Sequence, residues 1–280
     1  MIVIQFLGGL GNQMFEYALY YSFQKKGCIS KIDLSQYKKE VTHNGYELER
    51  IFGVNGKYAS ALEKRKWKLI SKLLYLFFGK PYKEKPSQQY LYNPKVSKIR
   101  NGFLKGYWQT EKYFSQIELE LRKKFIFPKL EGKGNIDVAQ KIIANKSVSL
   151  HIRRGDYLFG GRDCSLSINY YQKAIDYINK HVDNPCFFIF SDNIEWAREN
   201  IKIINANYID WNKKNESYVD MQLMSMCSHN IIANSSFSWW GAWLNNNKNK
   251  IVIAPEKWMP DINTEINLLP ENWIKIKNEF

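Results

Sequence analysis

The chain has 280 residues, 45% of them hydrophobic and 15% aromatic, which excludes a disordered chain and is enough for two compact domains. A formal net charge of +14 calls for an acidic partner: nucleic acid, an anionic membrane surface or a phosphorylated substrate. No basic low-complexity tail, RNP motif, zinc-finger spacing or leucine zipper is present, so nucleic acid is not the partner expected.

Ile2 to Leu7 reads as a short buried strand, Gly8 to Gln13 as a turn, and Met14 to Lys26 as a helix. With Lys31 to Leu34 as a second strand, this order opens an α/β domain. Met1 to Leu7 lacks a basic n-region and a cleavage site, which fits a first strand and not a signal peptide. Ser60 to Phe78 is expected to be a helix with Leu62, Leu69, Ile70, Leu73, Leu74 and Phe77 on one side. Lys64, Arg65, Lys66, Lys68 and Lys72 cover the rest, and Gly79 and Pro81 stop it. Two destinations fit such a helix: packing on the core with a solvated basic face, or lying on an anionic membrane. A strand from Gly102 should leave its sheet at Gln109, and Lys112 to Phe125 should be helical.

Gly132 to Asn135 reads as a linker, dividing the chain into domains 1–131 and 132–280. Beyond it, strands Ser147–Ile152, Cys186–Phe190, Tyr208–Asp210, Asn230–Ala233 and Ile251–Ala254 alternate with helices Ile168–Lys180, Glu195–Asn200, Ser217–Ser228 and Trp239–Asn245. Apolar strands separated by helices imply a parallel sheet covered on both faces. The four cysteines, Cys28, Cys164, Cys186 and Cys227, form no C-x-x-C pair, which disfavours zinc and fits a reducing, cytoplasmic setting. No apolar run reaches the roughly 18 residues that cross a bilayer.

Five motifs carry the chemistry. His151-Ile-Arg153-Arg154-Gly155-Asp156-Tyr157 sets two adjacent guanidiniums where an apolar strand ends, and an arginine fork suits a diphosphate there. Neighbouring side chains of an extended segment face opposite ways, so Arg153 and Arg154 are expected to do different jobs: one on the phosphates, the other paired with Asp156 or a nearby loop. In Gly8-Gly9-Leu10-Gly11-Asn12-Gln13, Met14 stands where a dinucleotide fold needs its third glycine. The glycines then either let the backbone approach a ligand, with Asn12 and Gln13 donating amide hydrogens, or simply form a tight turn. Ser191-Asp192-Asn193 either meets a ligand or caps the next helix. Ser217 to Asp220 is either a capping box or places a carboxylate to accept two parallel hydrogen bonds, which guanine offers and adenine does not. Ser235-Ser236-Phe237, opening a helix, offers phosphate donors and a ring to stack, or an ordinary N-cap; Trp243 fits a core.

Together these motifs resemble glycosyltransferase family 11, the α-1,2-fucosyltransferases. The family's Gly-Gly-Leu-Gly-Asn-Gln-Met-Phe stands at 8–15, its His-x-Arg-Arg-Gly-Asp-Tyr at 151–157, its Gly-Tyr-Trp-Gln segment from Gly106, and its Ser-Ser-Phe-Ser-Trp-Trp-Gly-Ala-Trp-Leu at 235–244. The resemblance implies two Rossmann-like lobes of the GT-B type with the ligand cleft between them. It also implies inverting transfer of L-fucose from GDP-β-L-fucose to the 2-hydroxyl of a galactose-terminated glycan, with no metal or other cofactor. The N-terminal lobe would face the acceptor and the C-terminal lobe the donor. Arg153 would sit on the β-phosphate, Asp220 on guanine, Ser235 and Ser236 on the phosphates, and Asn12 near the phosphate or the reacting sugar. Gly9, Gly11, Gln13, His151, Arg154, Asp192 and Phe237 complete the expected donor site. Trp108, Gln109 and Trp240 are expected on the acceptor. Asp156 and His151 are the two candidates for a general base. The absence of any Asp-x-Asp in the sequence agrees with charge neutralisation by arginine.

Overall fold

The structure is a computed structural model that describes the chain apart from residues 39–42, 81, 86–88, 159–162 and 263–265 and the side chain of Asp156. It divides into two compact units, Met1–Pro128 with Glu265–Pro270, and Lys129–Thr264 with Glu271–Phe280. The second crossing of the chain, at Glu265–Pro270, has no signature in the sequence pattern.

The first unit runs β1 (Ile2–Gln5), α1 (Leu10–Lys25), β2 (Ser30–Asp33), α2 (Leu48–Phe52), α3 (Ala61–Phe78), α4 (Pro94–Ser97), β3 (Gly102–Lys105) and α5 (Glu118–Lys124). Its sheet is parallel, in the order β2-β1-β3. Ile2, Val3, Ile4, Phe103 and Leu104 are buried, which is why these strands read as continuous apolar runs. The glycine motif is not all turn. Helix α1 starts at Leu10, directly after Gly9, so Asn12 and Gln13 lie in its first turn. The expected helix Lys112–Phe125 is broken into two short 3₁₀ turns and α5, with Thr110 capping the first turn through Lys112 N.

The second unit runs α6 (Lys133–Ala144), β4 (Ser147–Ile152), α7 (Ile168–His181), β5 (Cys186–Ser191), α8 (Ile194–Asn200), β6 (Asn207–Ile209), α9 (Tyr218–Met226), β7 (His229–Ile231), α10 (Ser236–Leu244), β8 (Val252–Pro255) and β9 (Ile274–Ile276). The segment at 132–135 is no linker: Gly132, at φ +78°, starts α6, and Asn135 is buried. All six strands are parallel, in the order β6-β5-β4-β7-β8-β9. Alternation builds two cores from one strand. Phe187 and Ile189 face α7, whereas Phe188 and Phe190 face α6 and α9.

This strand order reverses direction between β4 and β7. In open α/β sheets the crevice at the carboxyl ends of the strands flanking such a reversal is where ligands bind.

Candidate active site

The register sets what stands at that crevice. Ile152 pairs with Ser191 and Leu150 with Ile231, so the residues leaving β4 emerge between those leaving β5 and β7. They are Arg153 and Arg154, Asp192, and the Asn234–Ser236 turn.

Asp192 organises the loop after β4. Its Oδ1 accepts from Arg154 N at 2.9 Å, and its Oδ2 accepts from Gly155 N at 3.1 Å and from Arg153 Nη1 at 3.0 Å. This carboxylate is committed to the arginine loop. An anion bound directly to it would meet like charge. The same geometry explains Gly155. A Cβ there would stand 2.7 Å from Asp192 Oδ2, and three hydrogen bonds pin that oxygen's carboxylate in place. Gly155→Ala is expected to lower kcat about tenfold to 10²-fold through misplacement of Arg153. Steady-state kinetics beside a thermal melt would separate this from unfolding.

The two arginines diverge, as their opposite faces require. The Arg154 guanidinium stacks 4.1 Å from the Trp196 ring centroid, and its Nη1 donates to Ser165 Oγ at 3.4 Å. It fastens the loop to α8. Arg153 keeps a quarter of its side chain exposed beside Asp192, with its guanidinium 5.7 Å from the Tyr157 ring centroid. Tyr157 OH donates to Asn234 O at 2.8 Å and so ties the loop after β4 to the loop after β7. Asn234 is itself buried, its amide donating to Cys164 O and Trp258 O. The side chain of Asp156 lies outside the described residues.

His151, the last residue but one of β4, is buried 5.9 Å from the Phe237 ring, with no partner at Nδ1. Burial first, then the Arg153 charge, push its pKa down to about 3, against an opposing pull from Asp192. It is therefore neutral at working pH and a weak base.

Ser235 caps α10, its Oγ accepting from Phe237 N at 3.3 Å. Ser236 and Phe237, in the first turn, are half-buried. Trp240 is fully buried, packed edge-on against Trp239 and Trp243 at 5.0 and 5.1 Å, so the expected acceptor contact is corrected to a core role. The Ser191–Asn193 segment also supplies a cap: Asn193 Oδ1 accepts from Trp196 N and starts α8.

Asp220 stands in the first turn of α9, but no capping box forms with Ser217. Its Oδ1 accepts instead from Asn212 Nδ2 at 2.8 Å. Asn212 is locked in a reciprocal amide pair with Asn135 of α6, and Trp211 Nε1 donates to the same Asn135 oxygen. Burial raises the Asp220 pKa to about 7, opposed by the Asn212 hydrogen bond. The sequence carried no sign of this asparagine pair, because isolated Asn residues 77 positions apart follow no pattern.

In the first unit the structure joins Asn12 to Gln109, whose Nε2 donates to Asn12 Oδ1 at 2.6 Å; Gln109 Oε1 is buried and unpartnered. Gly9 precedes α1 with no side-chain cap, leaving the first-turn amides around Gly11 to the backbone. Gln13 is fully buried and spent. Its Nε2 donates to Gly8 O and Gly45 O, and its Oε1 accepts from Glu47 N, so its expected contact with the donor is corrected. Trp108, at φ +53°, is buried against Tyr113 and has no ring face to offer a sugar, which corrects its acceptor role. Two buried carboxyls hold these loops. Glu16 accepts Leu7 N through both oxygens at 2.9 Å, and burial raises its pKa well above the ordinary value. Glu84 Oε2 accepts from Tyr107 N at 2.7 Å and Trp108 N at 3.3 Å. Burial pushes the Glu84 pKa up to about 8, against the pull of those two amides. Glu84 sits in a lysine-rich stretch with no periodicity, so nothing in the sequence marked it.

Two Rossmann-like units with parallel sheets, one presenting an arginine fork at its strand-order reversal, have the architecture of the GT-B fold. The chain belongs to glycosyl transferase family 11, whose family model matches residues 1–277. It is 34% identical to the alpha-1,2-colitosyltransferase of Escherichia coli over 99% of both chains. It is 32% identical to the O-antigen biosynthesis glycosyltransferase WbnK of Escherichia coli, over 96% of this chain and 98% of the relative. A more distant relative is galactoside alpha-(1,2)-fucosyltransferase 1 of Lagothrix lagotricha, 27% identical over 63% of this chain and 53% of the relative. Among solved structures, fucosyltransferase NodZ from Bradyrhizobium shares the fold with a TM-score of 0.52 at 12% identity, covering 86% of this chain and 90% of that one.

Proposed function

We propose that this glycosyltransferase moves L-fucose from GDP-β-L-fucose, with inversion, to the 2-hydroxyl of a galactose residue in a surface glycan. The observation that carries the proposal is the Arg153 fork, held by Asp192 beside the Ser235–Ser236 turn at the β4/β7 reversal. The acceptor oxygen attacks C1 of the sugar as the bond from C1 to the β-phosphate oxygen breaks, through an oxocarbenium-like state. The acceptor proton goes to a base, and negative charge gathers on the departing GDP. Arg153, Ser236 and the amides opening α10 oppose that charge. Donors already aimed at developing charge commonly lower the barrier of such a reaction more than any other single effect. Burial pushes the His151 pKa down to about 3, which makes it a weak base for that proton.

No metal is assigned to the reaction. In this reading the Arg153 guanidinium supplies the positive charge that a metal would otherwise bring. EDTA is expected to leave turnover unchanged; a strict requirement for Mg²⁺ or Mn²⁺ in a chelated assay would overturn this.

A second reading has its own support: the 34% identity to a colitosyltransferase. Colitose is fucose without its 3-hydroxyl, so the two donors differ by one hydrogen-bonding group. The test is NMR analysis of products formed from small galactosides with GDP-fucose, GDP-colitose, GDP-mannose, and UDP- and dTDP-sugars in turn. A product from GDP-fucose alone supports the first reading. A preference for GDP-colitose supports the second, and use of a UDP- or dTDP-sugar removes both.

A further inference from the structure

Helix α3 does not bury its apolar side. Ser71 faces β3, its Oγ accepting from Phe103 N at 2.7 Å, and Trp67, Ile70 and Leu74 are half-buried around it. Lys64 reaches Asp33 at 3.2 Å and Glu63 reaches Lys31 at 2.6 Å, so the helix is fastened by this edge. Leu62, Leu69, Leu73 and Leu76 recur at intervals of seven, four and three residues and form one stripe on the opposite side. They are 81%, 59%, 45% and 66% exposed, and Phe77 continues the stripe at 75%. The expected single apolar face is thus divided: its inner members pack, and its outer members meet solvent.

Arg65, Lys68 and Lys72 run along one flank of the stripe and Lys66 along the other. Among the described residues no carboxylate pairs with Arg65, Lys68 or Lys72. The capping box of Ser60 and Glu63 and the left-handed Gly79 close the helix at both ends, so it stands preformed. No helix among the described residues is long and apolar enough to cross a membrane.

We propose that α3 is the surface by which the chain lies on an anionic lipid bilayer. The leucine stripe enters the acyl boundary while Arg65, Lys66, Lys68 and Lys72 meet the phosphate headgroups. An apolar stripe flanked by cations is the pattern of a helix that binds in the plane of the interface. Charge decides against a second copy of the chain as the occupant. Two such faces pressed together would oppose cation to cation, and the one acidic residue of the helix, Glu63, is engaged with Lys31. Nucleic acid would leave the leucines in water.

The test is flotation of the full chain with vesicles of phosphatidylcholine, with and without phosphatidylglycerol, at low and high salt. Capture is expected only by the anionic vesicles and is expected to weaken as salt rises. Changing Arg65, Lys68 and Lys72 together to Gln should cut the partition coefficient by about two orders of magnitude. Changing Leu69, Leu73 and Leu76 together to Ser should cut it by about tenfold or more. Turnover on a small soluble acceptor is expected to stay at the parental level in both variants, which shows them folded. No capture at low salt, equal capture by uncharged vesicles, or unchanged capture of both variants would overturn the proposal. So would a parental dimer that the serine variant dissolves.

Discussion

Arg153→Ala is expected to lower kcat by about 10²–10³-fold, the usual cost of removing one preorganised donor from a developing anion, roughly 2.7–4 kcal/mol. The KM for the donor should change less, because the charge that Arg153 opposes grows only as the sugar–phosphate bond breaks. The loop itself should survive. Asp192 still accepts the backbone N–H groups of Arg154 and Gly155, and Tyr157 still reaches Asn234 O. Arg153→Lys keeps the charge but loses the planar fork, and should fall between the parent and the alanine variant. Steady-state kinetics with a melting curve for each variant checks this. A kcat within about threefold of the parent would remove Arg153 from the chemistry altogether.

Asp220→Ala should act on the other side of the kinetics, raising the donor KM by about 10²-fold or more while kcat changes little. If Asp220 takes guanine, the lost interactions are two hydrogen bonds from the base edge to a charged acceptor, each worth roughly 1.5–3 kcal/mol. Burial sets a pH signature on the same residue. With its pKa raised to about 7, Asp220 in the free protein is largely protonated below neutrality. A protonated carboxyl cannot accept two parallel donors, so donor binding must first expel the proton. The donor kcat/KM is then expected to rise with pH, about tenfold per unit below pH 7, and to level off above it. Asp220→Ala should abolish that rise. An unchanged profile, or equal KM effects on GDP- and UDP-linked sugars, would take guanine away from Asp220.

The residues that gave this fold away are those whose sequence position implies a spatial position. Apolar runs such as Val148–Ile152 and Phe187–Phe190 are strands because both faces are buried, and their alternation with helices dictates a parallel sheet. Adjacency alone also separates Arg153 from Arg154. Hydrogen bonding was not legible in the same way. Asp192, Gln13 and Trp108 have the chemistry of ligand contacts, yet each is occupied within the protein by partners 30 or more residues away or by its own core. Asn135 and Asn212, which hold Asp220, have no local pattern that could report them. The α3 stripe was legible as amphipathic. Which part of it stays in water depends on how the helix seats on β3, and composition carries no such information.

Glu84 retains its proton near neutrality, whereas in the unfolded chain the same carboxyl would ionise at about its ordinary 4.5. The stability its buried, protonated carboxyl lends to the turn carrying Trp108 and Gln109 is therefore full in acid and declines as the pH climbs from about 4.5 to about 8, where the charge must be buried. An alkaline decline in rate would then report a scaffold losing its keystone, although on a rate profile it would look like the ionisation of a catalytic acid.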